Sequence, residues 1–320
     1  MITASAPAKS ILLGEHAVVY GQPALAVPLS SLRAKATVTA NPPNVSGLRI
    51  TGSETGDILP LEIDAEIVDN ALALTAHLVL KHLGIAAPPD ITISLRSDIP
   101  VASGLGSGAA VSTALARALC AAVNRMIDDE ALNAIVYEVE KVYHGTPSGI
   151  DNTVIVFEHP VYFVRGAPPQ RFALRRSMTL LIGDTGLRAS TRVAIDDVRA
   201  LYAKEPERIG NIFSAIGTLA EQGRAALITG DLVQLGELMN ANHMLLRELT
   251  VSCPELERLT EAARSAGALG AKLSGGGRGG NMIALVEHEA IKPVCSALLS
   301  AGAARVLAVQ LGGIANGDFR

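Results

Sequence analysis

Apolar positions recur along this chain with two periods, and the periods divide it into strands and helices. Ser5 to Val27 predicts strand, glycine turn, strand: Ile11–Leu13 runs into Gly14, and Ala17–Tyr20 runs into Gly21. Residues 33–51 predict two more strands about a Pro/Gly/Asn connection. From Asp64 to Leu83 the residues Ile67, Ala71, Leu74 and Leu78 fall at helical spacing, with Gly84 as a stop. Ile91, Ile93 and Leu95 then alternate with Thr92, Ser94 and Arg96, the period of a half-buried strand. After a glycine-rich loop, a second helix carries Val111, Leu115, Leu119 and Val123. A third starts near Asp129, turns Leu132, Val136, Val139 and Tyr143 inward, and ends at Gly145. Residues 153–165 and 171–182 predict strands separated by Ala167–Gln170. Helical patterns fill 190–228, 231–247 and 254–267, with short strands near 271–274, 281–286 and 305–310.

The length of 320 residues predicts about two domains. Glycine-punctuated strands give way to a long helical stretch near 178–183, so the expected division is 1–178 and 179–320. A return of the last strand to the first domain stays open. With 49% of residues hydrophobic and 18% charged, wholesale disorder is excluded. A net charge of −4, 3% aromatic residues and no Trp argue against nucleic acid as a partner. Cys120, Cys253 and Cys295 are odd in number and form no Cys-x-x-Cys pair, which argues against a disulfide framework or thiolate zinc site and fits a reducing cytosol. Met1 to Lys9 lacks the flank and apolar run of a signal peptide. Asp69, His77 and Lys81 interrupt one apolar stretch and Arg117 and Arg125 another, so no membrane span is expected. The expectation is a cytoplasmic protein.

Three clusters could carry chemistry. In the first, Pro100-Val101-Ala102-Ser103-Gly104-Leu105-Gly106-Ser107-Gly108-Ala109-Ala110 joins a strand to a helix. Its glycines permit positive φ and close approach, and the amides at a helix N-terminus suit an anion such as phosphate. The spacing matches neither the dinucleotide fingerprint nor a Walker A loop. A plain strand-to-helix connection is the competing reading. The second cluster is Glu140 to Asn152. Glu140 falls beside the inward face of its helix, where a carboxylate needs a cation: Lys, Arg or a hard ion such as Mg²⁺. Asp151 follows a Pro-Ser-Gly turn in a loop expected to lead into a strand. A turn residue or helix cap is its alternative, and a helix C-terminal cation is that of His144. The third is Lys272-Leu-Ser-Gly-Gly-Gly-Arg-Gly-Gly280, with five glycines in six positions. Flanked by strand-like runs, it reads more readily as a backbone wall beside a phosphate than as a linker. Lys9 shares a strand face with Ile11 and Leu13; turned inward it needs a carboxylate, with Asp151 the favoured partner, and snorkelling at the strand end is the alternative.

Together these residues resemble the GHMP kinases (galactokinase, homoserine kinase, mevalonate kinase, phosphomevalonate kinase). The loop Gly104-Leu-Gly-Ser107-Gly-Ala-Ala110 is similar to the superfamily's phosphate loop. Pro7-Ala-Lys9-Ser-Ile-Leu-Leu-Gly14-Glu15-His16-Ala-Val-Val-Tyr-Gly21, His144-Gly-Thr-Pro-Ser148-Gly-Ile-Asp151-Asn152 and Lys272-Leu-Ser-Gly-Gly-Gly277 resemble motifs of the mevalonate kinase family. The four motifs follow the family's order across nearly the whole chain. The resemblance implies an α+β, two-domain GHMP kinase fold: an N-terminal mixed-sheet domain carrying the phosphate loop, a C-terminal ferredoxin-like α/β domain, and an active site in the cleft between them. It implies ATP with Mg²⁺ and a small-molecule acceptor, mevalonate. ATP would lie over Pro100, Val101, Ala102, Ser103, Gly104, Leu105, Gly106, Ser107, Gly108 and Ala109, and beside Gly275, Gly276 and Gly277. Glu140 and Ser107 would serve the metal, Asp151 would be the general base, and Lys9 would pair with it. Glu15, His16, Ser148 and Thr191 match positions bordering substrate or nucleotide.

The chain departs from the pattern where the family commonly has a second Ser after Gly-Leu-Gly-Ser; Gly108 stands there. A water at the metal, an inward shift of Ser107 or weaker metal binding would follow, while the loop's amide donors survive. Arg278 replaces what is often a smaller residue, and phosphate contact and solvation remain open for it. Another kinase of the superfamily and a non-catalytic nucleotide-binding paralogue are the alternatives. The oligomeric state, a homodimer included, is left open.

Overall fold

The computed structural model describes residues 2–52, 58–60, 70–100, 104–144, 147–188 and 190–312. In chain order come β1 (Ile2–Leu13), a 3-10 turn Ala17–Tyr20, β2 (Ala24–Ala40), β3 (Arg49–Gly52), β4 (Ile58–Pro60), α1 (Ala71–His82), β5 (Ile91–Ser97), α2 (Ser107–Ala122), α3 (Asp129–His144) and α4 (Ile150–Phe157). There follow β6 (Val161–Phe163), β7 (Gln170–Arg171), β8 (Met178–Asp184), α5 (Thr191–Lys204), α6 (Pro206–Thr229), α7 (Leu232–Glu248), α8 (Pro254–Ser265), β9 (Gly270–Ser274), β10 (Asn281–Val286), a 3-10 turn His288–Ala290, α9 (Ile291–Ser300) and β11 (Arg305–Leu311). The chain forms two units. One takes in Met1–Ala8, Leu32–Val101 and Gly106–Glu158; the other takes in Lys9–Ser31, Ala102–Leu105 and His159–Arg320.

In the first unit the second half of β2 pairs antiparallel with β5, β5 pairs parallel with β3, and β3 pairs antiparallel with β4. Helices α1, α2, α3 and α4 pack on one another. The side chain of Asn70 accepts from the amides of Leu72 and Ala73 and starts α1. The rest of the helix expected from Asp64 lies outside the described residues. The buried stripe of α1 runs through Ala76, Val79 and Leu80, while Leu74 and Leu78 are only half-buried. Glu158, left-handed at φ 52°, ends α4 and takes a bidentate pair from Arg33 and a further bond from Arg117. Those hydrogen bonds and guanidinium charges hold its carboxyl below the usual range against the opposing effect of burial.

Three expectations are corrected here. Ala17–Tyr20 is a 3-10 turn rather than a strand. The amides of Val19 and Gly21 donate three residues back to His16 O and Val18 O, and Gly14 before the turn packs so close to Ala24 that no Cβ fits. Residues 150–157, expected as loop and strand, are helix α4. A short continuous apolar run such as Val154–Phe157 fits a buried helix as well as a strand. The long helical stretch 190–228 breaks into α5 and α6 at Pro206, which lacks an N–H to continue α5. Helix α9 had no sequence counterpart.

In the second unit the strand order β11-β8-β10-β9, antiparallel throughout, is that of a split β-α-β-β-α-β sheet. Ile209, Phe213, Leu246, Leu256, Leu273 and Met282 lie in its core. β9 is the edge, and α7 covers it. The amide of Ala271 donates to Asn240 Oδ1 at 2.9 Å and that of Leu273 to His243 Nδ1 at 3.3 Å, so one helix face satisfies the strand's outward amides. This is possible because Gly236 of α7 and Gly270 of β9 meet backbone to backbone; a Cβ on either would run into the other segment. No helix among the described residues is long and apolar enough to cross a membrane.

Two outcomes are expected. Gly270→Ala forces α7 off β9 and lowers stability by about 2–3 kcal/mol, read from urea melts; an unchanged midpoint would remove the close approach from the account. His243 accepts at Nδ1, and burial lowers its pKa from 6.5 to about 4. The folded state therefore resists the proton that the unfolded chain takes up, so this stability is whole above pH 6.5 and drains away as pH falls toward 4. His243→Asn keeps an acceptor without a titration, and its melting temperature should fall less over that window than that of the wild type.

Candidate active site

In the second unit the end of β1 brings several of the expected residues together. All residues from Ala6 to Leu13 are buried, so Lys9 is inward because both faces of the strand are covered. The Lys9 amide donates to Leu105 O at 3.0 Å, and Ser10 Oγ lies 3.2 Å from Ser274 Oγ. β1 thereby stands between two glycine turns. A Cβ on Gly275 would lie 3.3 Å from Gly104 Cα, so the first and third clusters touch through bare backbone. Thr191, first residue of α5, packs against Gly276, where a Cβ would come within 2.9 Å of its Oγ1. Gly277 sits so close to the Val251 carbonyl that no Cβ could be inserted. His16, left-handed at φ 62°, places Nε2 3.1 Å from Gly276 O. Burial lowers its pKa to about 4, so the ring is neutral near pH 7 and its Nε2–H donates.

Glu15 is 1% exposed, and both its carboxylate oxygens are engaged. The wholly buried Lys272 donates to Oε1 and, at 2.6 Å, to the Leu273 carbonyl; Asn242 Nδ2 donates to Oε2 at 3.1 Å. Burial pulls the Lys272 ammonium below its ordinary pKa, and the Glu15 carboxylate opposes that fall. Lys272 was read only as the start of a glycine motif, although a lysine in the middle of a buried strand calls for a carboxylate by the same logic as Lys9. Asn242 and His243 left no sequence signal beyond helical periodicity. Arg278, at φ 60°, is paired with Asp197 and donates to Thr250 O at 3.3 Å.

The first unit holds the remaining residues. Gly106, left-handed at φ 75°, precedes α2, and no side chain caps that end. The amides of Ser107, Gly108 and Ala109 thus form a first turn with the positive end of the helix dipole. Glu140 is 3% exposed and shares the buried stripe of α3 with Leu132, Val136 and Val139. Asp151 occupies the first turn of α4. Ser148 Oγ accepts from the Ile150 amide at 3.3 Å, and Asn152 Nδ2 donates to Asn133 Oδ1 at 2.6 Å, which pins that turn against α3. The three helices bearing Ser107, Glu140 and Asp151 pack pairwise. Pro100 follows β5 in this unit; Val101–Ser103 and the Gly145–Thr146 turn lie outside the described residues.

Comparison with known proteins places the whole chain. Family models described as the GHMP kinases N terminal domain and GHMP kinases C terminal match residues 70–159 and 224–304. The chain is 36% identical over 323 residues to the mevalonate kinase of Pyrococcus horikoshii, covering 94% of this chain and 93% of the relative. To that of Pyrococcus abyssi it is 34% identical over 317 residues, with the same coverage. Its structure is similar to that of L. major mevalonate kinase in complex with R-mevalonate, at TM-score 0.84 and 30% identity, covering 98% of this chain and 97% of the other. The Methanococcus jannaschii mevalonate kinase shares the fold at TM-score 0.84 and 24% identity, covering 97% and 98%. The architecture is therefore the two-domain GHMP kinase fold, and the chain belongs to the mevalonate kinase family of the GHMP kinases.

Proposed function

We propose that this chain phosphorylates the primary hydroxyl of mevalonate with ATP, giving 5-phosphomevalonate. One observation carries the reading: two glycine turns, at Gly104 and Gly275, meet through bare backbone beside a buried strand that bears Lys9. Such a surface offers amides and one ammonium at close range, which is what a transferring phosphoryl group asks of a protein.

In this reading the phosphates lie over 100–109 and beside Gly275–Gly277. Asp151 takes the proton of the acceptor hydroxyl as its oxygen attacks the terminal phosphorus, and the bond to the bridging oxygen of ADP breaks. Asp151 is held for that step in the first turn of α4, where its neighbour Asn152 is tied to α3. Lys9 offsets the negative charge gathering on the reacting oxygen. Glu140 and Ser107 offer a buried carboxylate and a hydroxyl, hard oxygen donors that suit Mg²⁺. When bound, the ion neutralises charge on the phosphate oxygens. Gly108 removes one hydroxyl from that set but leaves its amide in the first turn of α2, so the loop keeps its anion-binding character. His16, Ser148 and Thr191 border substrate or nucleotide. The small-molecule acceptor needs no nucleic acid or membrane.

ADP release measured with mevalonate, galactose, homoserine and phosphomevalonate tests the reaction; turnover is expected with mevalonate, and preference for another acceptor or none would overturn it. Asp151→Asn is expected to cut turnover by about 10²–10⁴-fold while ATP still binds; near-normal turnover would remove the base. Lys9→Met is expected to lower kcat more than it raises KM for ATP, and an unchanged kcat would separate Lys9 from the reacting atoms.

A further inference from the structure

The second unit holds a buried polar cluster of Lys272, Asn242 and Glu15 that the phosphotransfer steps above do not use. Lys272 and Asn242 have no exposed surface, and Glu15 has almost none. They come from three elements: Lys272 from the edge strand β9, Asn242 from α7, and Glu15 from the turn after β1. Burying an ion pair costs about as much desolvation as it returns in attraction, so stability alone is a weak reason for it. Its location is more telling. The next residue after Glu15 is His16, held in a left-handed backbone conformation that a non-glycine residue adopts at a cost. Two residues after Lys272 begins the Ser274–Gly277 turn, whose Gly276 carbonyl receives the His16 Nε2–H. The ion pair thus ties together the two backbones that the His16 side chain bridges.

We propose that Glu15 is a positioning residue rather than a substrate ligand: clamped by Lys272 and Asn242, it fixes the His16 turn against the Gly276 carbonyl, which leaves Nδ1 of a single imidazole tautomer as a hydrogen-bond acceptor for a hydroxyl of the acceptor alcohol. Both oxygens of the Glu15 carboxylate are held by protein donors and the residue is 1% exposed, so it presents its charge to the fold and not to an open pocket. The neutral state of His16 follows from its burial and agrees with this role. The recognition of an alcohol rests on the phosphotransfer reading above; the positioning of His16 does not.

The experiment uses two variants with different risks. Glu15→Gln combined with Lys272→Met removes both charges, so no lone charge stays buried; Asn242→Leu leaves the ion pair and removes only the amide on Oε2. Imidazole ¹⁵N NMR, with the His16 signal identified by its loss in His16→Gln, is expected to show one Nε2–H tautomer in the wild type. Mixed tautomers and a pKa nearer the ordinary value are expected in both variants. An unchanged His16 signal in either folded variant would overturn the positioning role, whatever the acceptor. With mevalonate, each variant is expected to raise KM about tenfold, the worth of one hydrogen bond, with ATP affinity held. The KM effects of His16→Gln and of the charge-free pair should fail to add. Additive effects, or an unchanged KM, would overturn the link to acceptor binding. A wild type inactive on mevalonate would instead sink the reading of the reaction and leave the NMR result standing.

Discussion

Backbone can approach backbone only where no Cβ intervenes, and the second unit is organised by that constraint. Gly236 against Gly270 seats α7 on the edge strand β9. Because α7 lies that close, Asn240 and His243 reach the outward amides of β9, and Asn242 on the same helix reaches Glu15. β9 then delivers Gly275 to Gly104 and Gly276 to Thr191, again without side chains between them. The covering of a sheet edge and the close approach of two glycine turns are thus met along and just beyond the same strand. Glycine disfavours folding by its conformational freedom, about 1 kcal/mol relative to alanine in regular structure, so so many of them imply that the approach itself is what matters.

Charge is handled with the same economy of space. In the second unit Lys272 is neutralised by Glu15 and the remaining Glu15 oxygen by an amide, so the ammonium and carboxylate are both hydrogen-bonded out of water. The Arg278–Asp197 pair at the far end of the glycine turn is partly exposed and contributes less per contact. The two pairs have different consequences. Loss of one buried partner strands a charge, whereas loss of the exposed partner lets water replace it. The sequence departure at Arg278 is thus accommodated by its own carboxylate on α5, and phosphate contact is not needed to account for its charge.

Much of this was legible from residue patterns because those patterns are local. The alternation of Ile91, Ile93 and Leu95 is β5, and Leu115 and Leu119 lie on α2. The inward turn of Lys9 was legible from the strand face it shares with Ile11 and Leu13, although the covering of both faces of β1 was not. The glycine clusters declared close approach without saying to what; that Gly104 meets Gly275 is a contact across a long separation in sequence. The Lys272–Glu15–Asn242 cluster was hidden for the same reason, since Asn242 is an ordinary polar residue on an amphipathic helix until β9 is laid beside it.

The error at α4 has a different origin and bears on function. Val154–Phe157 is apolar at every position, so neither period is visible, and β-branched residues tilt the reading toward a strand. The structure resolves the ambiguity at the N-terminal end: Ser148 accepts from the Ile150 amide, Thr153 donates back to Gly149 O, and Asn152 is tied to α3. A strand would have alternated Asp151 and Asn152 across two faces and left both hydroxyls without those partners. A helix instead places Asp151 in its first turn, while Asn152 points to the neighbouring helix. The apolar run that obscured the helix is also what anchors it, because burial of Val154, Ile155 and Val156 leaves the first turn no freedom to slide. The position of that turn is thus fixed at both ends, by the Asn152–Asn133 bond to α3 and by the buried apolar run behind it.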